Sequence, residues 1–236
     1  MEKDNGDIIL GIETVTVFRS GSRRQDPLKL SAFGSCSFCL EDIGIYLYSE
    51  DRAYTTGQLV FLKRKVIIMK KVAILLENLF DERELIYPYI RFLEEGYEVH
   101  LVGTERNKEY KSKVGLTETS THASEDISSN DYDAVVIPGG YSPDHMRRCK
   151  STVDFVRAMN EQNKIIAAIC HGPWMLASCC DLSGKKITAF YSIKDDLTNA
   201  GAEYVDEEVV VDGNLITSRT PKDLPVFVKT IIVNLG

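Results

Sequence analysis

From Lys70 to the C-terminus the sequence predicts an α/β fold with a mostly parallel central sheet covered by helices on both faces. Three observations carry this expectation. Short apolar runs alternate with amphipathic stretches of helical period, the pattern of repeated strand-helix-strand units. One run, Ile165–Ile169, is continuously apolar, as a strand buried on both faces requires, and it stops abruptly at Cys170-His171-Gly172-Pro173. Another, residues 133–137, runs directly into Pro138-Gly139-Gly140. Ligands of such sheets bind beyond the carboxyl ends of the strands, where both of these turns lie.

The elements follow in order. A buried strand is expected over residues 72–76. A helix over 82–95 places Leu85, Ile86, Tyr89, Phe92 and Leu93 on one face, and Gly96 ends it. A strand over 97–102 comes next, and the polar stretch to Asn130 reads as loop. After the strand at 133–137 and its glycine turn, Ser151 has the chemistry of an N-cap for a helix carrying Val153, Phe155, Val156 and Met159. Beyond the strand at 165–169, Gly172 permits a sharp turn and Pro173 suits a first helical turn. Trp174, Met175, Leu176 and Ala177 supply the apolar residues of a packed helix. A strand at 187–190 and a short helix near 194–200 precede a hairpin of 207–211 with 215–218, whose Asp212-Gly213 favours a primed turn. A helix over 222–235 follows Pro221.

Residues 1–68 read differently. Their apolar groups at 8–12 and 43–48 are interrupted by polar and turn-forming residues, with no sustained helical period, so strand-like pieces are expected but no domain is evident. Cys36 and Cys39 have the spacing of half a zinc site or of a redox pair, yet no second Cys/His pair lies near them, and the spacing reads as coincidence. Met69-Lys70-Lys71-Val72 resembles the beginning of a protein whose first strand starts at once. Residues 65–67 are compatible with a ribosome-binding sequence just upstream of the Met69 codon. The expectation is therefore an N-terminal extension, with Met69 as an alternative start, followed by one domain over 69–236.

Composition narrows the function. A net charge of −7 argues against a protein that binds a phosphate backbone, which needs a basic face. The charged first residues do not resemble a signal peptide, and no apolar run approaches the length of a membrane span. A cytoplasmic location is expected, where the six cysteines are thiols rather than a disulfide framework.

Cys170 is the candidate nucleophile. At a strand-to-helix elbow, unpaired amides and the positive helix end favour an anion, which should lower the thiol pKa. His171 offers a base beside it, and the glycines of the 138–140 turn allow close-approaching backbone donors. The other cysteines, Cys149, Cys179 and Cys180, read as core or surface thiols. His100 and His122 read as structural or surface residues. No cofactor or metal is called for.

Several motifs in order then identify a resemblance. They are Glu84-Leu-Ile-Tyr-Pro88, Glu94-Glu-Gly96, Ile137-Pro-Gly-Gly140, Ile169-Cys-His-Gly-Pro173, Ile193-Lys-Asp-Asp196, Asn199-Ala-Gly201, Glu208-Val-Val-Val-Asp-Gly-Asn214 and Ser218-Arg219. Residues 69–236 thus resemble the PfpI-type intracellular protease and deglycase family. This is a branch of the class I glutamine amidotransferase-like superfamily that also contains the parkinsonism-associated deglycases. The resemblance implies a flavodoxin-like three-layer sandwich, Cys170 as nucleophile and His171 as its partner. It also implies an acid supplied by a neighbouring subunit, at Asp144 here, and a second acid near the sulfur from the same subunit, at Asp81 here. Both positions are commonly glutamate in the family, and aspartate is one methylene shorter. Asp81 and Asp144 can also cap the helices that follow them, and Glu77 and Glu82 are nearby substitutes for Asp81.

The implied chemistry has Cys170 attacking an electrophilic carbon while the amides of Gly140 and His171 bind the oxyanion, His171 shuttles protons and the carboxyl beside the sulfur holds one. The expected function is a cysteine-dependent hydrolase. Its substrates would be glycated proteins, small 2-oxoaldehyde adducts or peptides, and its active sites would lie at the interfaces of a homo-oligomer. The alternative is a stress-responsive chaperone or cysteine redox sensor without turnover.

Overall fold

The computed structural model describes residues 69–236 and, before them, the backbone of five short strands. The chain divides into two compact units, Met1–Ile68 and Met69–Gly236. In the first, β1 (Val15–Val17) pairs antiparallel with β2 (Leu28–Leu30). There, β3 (Tyr46–Leu47), β4 (Arg52–Thr55) and β5 (Gln58–Phe61) form an antiparallel sheet. Cys36 and Cys39 lie outside the described residues.

The second unit begins with β6 (Lys71–Leu75), α1 (Glu82–Glu94) and β7 (Glu98–Gly103). The polar stretch expected to be loop contains an antiparallel hairpin, β8 (Glu109–Lys111) with β9 (Thr117–Thr119), and the edge strand β10 (His122–Ala123). These strands are too short and polar to leave a period-2 signal. Then come β11 (Ala134–Ile137), α2 (Ser142–Met146), α3 (Lys150–Glu161) and β12 (Ile165–Ile169). The chain continues with α4 (Leu176–Cys179), β13 (Lys186–Ile187), α5 (Lys194–Asn199) and β14 (Glu203–Tyr204). It finishes with β15 (Val209–Asp212), β16 (Leu215–Ser218) and α6 (Leu224–Leu235).

The seven-stranded sheet has the order β10-β7-β6-β11-β12-β16-β15. All neighbours are parallel except β15 and β16, whose two-residue turn is Gly213-Asn214, one position beyond the expected Asp212-Gly213, because Asp212 still pairs with Leu215. Strand periodicity divides the core between the two faces. Val72, Ile74, Val136, Ala167 and Ile169 pack with Leu85 and Phe92 of α1 and with Phe227, Val228 and Ile231 of α6. Ala73, Leu75, Val135, Ile137, Ile166 and Ala168 pack with Phe155, Val156 and Met159 of α3, Leu176 of α4 and Leu197 of α5. The result is the three-layer arrangement anticipated from the alternation of elements.

Two local expectations change. The strand placed at 187–190 is only β13, which pairs with β14 outside the main sheet, because the chain turns into the helical segment at Tyr191–Ile193. The helix expected directly after the elbow is broken into a 3₁₀ turn, Gly172–Trp174, and the single turn of α4. A continuous helix dipole therefore does not stand behind Cys170.

Candidate active site

The site lies at the carboxyl ends of β11 and β12. Cys170 has φ 61°, a left-handed conformation unusual for a residue with a side chain and characteristic of strain held at functional positions. The surrounding backbone fixes it: the Cys170 amide donates to the Ser218 carbonyl at 3.0 Å, and the Cys170 carbonyl accepts from the Phe190 amide at 2.9 Å. Two glycines make room for the elbow. A Cβ on Gly172 would lie 2.3 Å from the Ile137 carbonyl oxygen, and one on Gly140, whose φ is 72°, would lie 2.3 Å from that of Leu79. Side chains at these positions would push the turn and the elbow apart.

Four groups meet at the sulfur. His171 Nδ1 is 3.3 Å from Cys170 Sγ, and Nε2 of the same ring is 3.2 Å from Ser192 Oγ. Backbone amides of Gly140 and His171 lie near the sulfur and favour its anion. The fourth group is Glu84 of α1, which contacts the Cys170 thiol and accepts the Gly139 amide on Oε2 at 2.8 Å. Among the described residues its buried Oε1 has no hydrogen-bond partner, which leaves that side of the carboxyl for a proton. Phe190 stacks on the His171 ring at 5.0 Å and Trp174 meets it edge-on at 5.2 Å, so the imidazole is held between aromatic faces.

The electrostatics follow from burial. Desolvation and the neighbouring Asp81 charge push the Glu84 carboxyl up to about 8, so it is predominantly protonated at neutral pH. Burial and the Glu84 carboxylate push the Cys170 thiol up to about 12, against the pull of the Gly140 and His171 amides. This reverses the sequence expectation of a lowered thiol pKa, because the elbow is dry and the helix behind it is one turn long. A proton on Glu84 removes the like-charge repulsion, so the first proton gained by the pair relieves the thiolate. Burial, reinforced by the Lys113 charge, lowers the His171 pKa and keeps the ring neutral, able to accept a proton.

A second correction concerns Asp81. It stands at the N-cap of α1, not against the sulfur. Its carboxylate accepts from the Arg83 amide at 3.1 Å, the Arg83 guanidinium at 2.9 Å and Lys113 Nζ at 2.5 Å. Burial alone would raise its pKa, but the hydrogen bonds and charges of Arg83 and Lys113 outweigh that and hold it below the usual carboxylate range. The position expected for Asp81 is occupied by Glu84. In the sequence Glu84 opens the motif Glu84–Pro88, from which no role for it follows. The signal was an acid on the apolar face of an amphipathic helix, in line with buried Leu85, Pro88 and Phe92. Glu77 hydrogen-bonds Thr104 at 2.9 Å and its neighbour Asn78. Asp144, in the first turn of α2, pairs with Arg148 of its own chain. Among the described residues, the partner of His171 Nε2 is Ser192, and no group of three or more His, Cys, Asp or Glu side chains is arranged to hold a metal ion.

An α/β sandwich with a cysteine on a strained elbow, flanked by a histidine and a buried glutamate, defines a class of proteins. The model of the DJ-1/PfpI family matches residues 70–234, and the chain belongs to that family. It is 43% identical to General stress protein 18 of Bacillus subtilis over 67% of this chain and 93% of that one. It is 42% identical to Deglycase PH1704 of Pyrococcus horikoshii over 69% of this chain and 97% of that one. The crystal structure of Drosophila melanogaster DJ-1beta superposes with a TM-score of 0.67 at 30% identity, covering 71% of this chain and 91% of that one. No helix among the described residues is long and apolar enough to cross a membrane.

Proposed function

We propose that the protein is a cysteine-dependent hydrolase of carbonyl adducts, acting on glycated proteins or small 2-oxoaldehyde adducts. One observation carries the reading: the Cys170 sulfur lies between a neutral imidazole, a protonated carboxyl and two backbone amides. As Cys170 attacks the adduct carbon that bears the amine and a hydroxyl, the sulfur–carbon bond forms, the carbon–nitrogen bond breaks, and the thiol proton passes through His171 Nδ1 to the departing amine, leaving a hemithioacetal. A proton then moves from that carbon to the neighbouring carbonyl carbon, with Glu84 exchanging protons with the oxygens and the Gly140 and His171 amides stabilising the enediolate oxygen, which converts the hemithioacetal to a 2-hydroxy thioester. Water hydrolyses the thioester to the 2-hydroxy acid and frees the Cys170 thiol. Losing one such amide donor typically costs on the order of 10² to 10³ in rate. The buried protonated acid favours small aldehyde adducts over broad proteolysis, since proton transfer between neighbouring carbon and oxygen atoms is what such adducts require. The name of the Pyrococcus horikoshii relative, a deglycase, supports this preference.

Among the described residues His171 meets no carboxylate, and its Nε2 edge meets the Ser192 hydroxyl. In this reading Asp144 of the partner subunit completes the site, so the active form is a homo-oligomer. A mechanism that rests on a free thiol fits the reducing cytoplasm.

The test uses the purified full chain with Cys170→Ala as control. Methylglyoxal, its thiol and amine adducts, and an unfolded protein are followed in parallel. Adduct turnover lost in the variant supports the proposal. Peptide cleavage lost in the variant replaces it with a peptidase, and neither activity from folded oligomer replaces it with a non-turnover stress protein.

A further inference from the structure

α4 ends at Cys179, and Cys180 leaves the helix in extended backbone, with φ −125° and ψ 150°. That change of direction brings the two neighbouring side chains together, with their sulfurs 3.7 Å apart. The Cys179 thiol is buried and donates to the Met175 carbonyl at 3.0 Å, whereas Cys180 is partly exposed. The adjoining Ser178 anchors two guanidinium groups: Arg157 donates to its carbonyl at 3.1 Å and Arg147 to its hydroxyl at 2.7 Å. None of these groups takes part in the chemistry at Cys170.

We infer that Cys179 and Cys180 form a dithiol site that chelates trivalent arsenicals. Thiolates select soft centres, and the geometry selects among these. Zinc demands three or four protein ligands, and among the described residues no such group of His, Cys, Asp and Glu exists. A linear two-coordinate ion needs its sulfurs on opposite sides, which adjacent residues with touching sulfurs do not offer. Pyramidal arsenic(III) takes two sulfurs on one side and fills its third position with its own substituent. The contact with Cys179 and the charge of Arg157 outweigh burial and hold the Cys180 thiol below its usual range, while the neighbouring Cys180, with burial, pushes Cys179 up. Cys180 therefore attacks first, and closure by Cys179 is intramolecular.

With phenylarsine oxide as the probe, two arsenic–sulfur bonds form and the arsenic–oxygen bond breaks. The oxygen leaves with both thiol protons as one water, and arsenic stays trivalent. The experiment titrates the full chain in a Cys36→Ser, Cys39→Ser background, which removes the other closely spaced pair in the sequence. The expected result is one phenylarsenic per chain on the peptide containing Cys179 and Cys180, retained against excess monothiol and released by a dithiol. Cys180→Ser should raise the half-saturation concentration on the order of 100-fold or more, the second attachment being intramolecular. Independently of that variant's folding, the loaded wild-type chain, denatured and alkylated, should carry no alkyl group on either cysteine. Arsenic mapped to Cys149 or Cys170, release by monothiol, or unchanged half-saturation in Cys180→Ser overturns the assignment.

Discussion

Two carboxyls one turn apart at the start of α1 meet opposite fates. Asp81 caps the helix and is enclosed by an amide, a guanidinium and an ammonium, so it stays ionised. Glu84 faces inward to one amide and a thiol, with no cation bonded to it among the described residues, so it keeps its proton to about 8. Both are buried, at 2% and 0% exposure, which shows that burial alone does not set the charge of an acid. The partners do.

The largest effect expected from this contrast is on activity. Glu84→Gln keeps the shape and still accepts the Gly139 amide but cannot exchange a proton with the sulfur or an oxyanion. Its kcat/KM should fall on the order of 10² to 10⁴, the usual contribution of a positioned acid or base. Asp81→Asn should stay within about tenfold of wild type, because its carboxylate serves the cap and two surface cations. Equal losses in a steady-state assay of the two variants would erase the distinction.

Strain at the turn ranks next. Gly140→Ala puts a methyl group against the Leu79 carbonyl at a φ of 72°, and the left-handed conformation alone costs about 1 to 3 kcal/mol. Urea unfolding should show a loss of at least that size, and adduct turnover should fall with it as the Gly140 amide shifts off the sulfur.

Stability against pH separates the two acids by sign. Glu84 binds its proton more tightly folded than unfolded, so its contribution is complete below about pH 4.5 and is lost as pH rises through about 8. Asp81 has a depressed folded value, so its contribution is present at neutral pH and is lost on acidification through that value. Urea midpoints across pH should therefore lose their alkaline decline in Glu84→Gln and part of their acid decline in Asp81→Asn. A Glu84→Gln curve parallel to wild type from pH 5 to 8 would remove the protonated-acid assignment.

The smallest effects belong to the outer shell of Asp81. Asp81→Ala should cost about 1 kcal/mol as a lost cap. Lys113→Met should cost less, since the Lys113 side chain is partly exposed and Arg83 still holds the carboxylate. Thermal unfolding of the two variants orders them.

These contrasts also mark how far the site could be read from the chain. Cys170, His171 and the glycine turn were legible because each is adjacent in sequence to an apolar strand that must end where it does. The hairpin of β15 and β16 was legible for the same reason, though its turn lies one residue beyond Asp212-Gly213. The β8–β9 hairpin was not, since its few polar residues carry no period, and with it went Lys113, whose charge reaches Asp81, Glu84 and His171. The choice between Asp81 and Glu84 also escaped: one caps α1 and the other lies in its first turn, and each is a reasonable acid taken alone.

The sequence by itself determined the strand and helix order, the two faces of the sheet, the sulfur's position at a strand end and the family resemblance, because these rest on periodicity and on residues neighbouring in the chain. Only the tertiary structure decided which carboxyl meets that sulfur and which holds a proton. Glu84, Gly139 and Cys170 come from α1, the turn after β11 and the end of β12. The desolvation that binds the proton to Glu84 and raises the thiol pKa exists only once those three segments close on one another and exclude water.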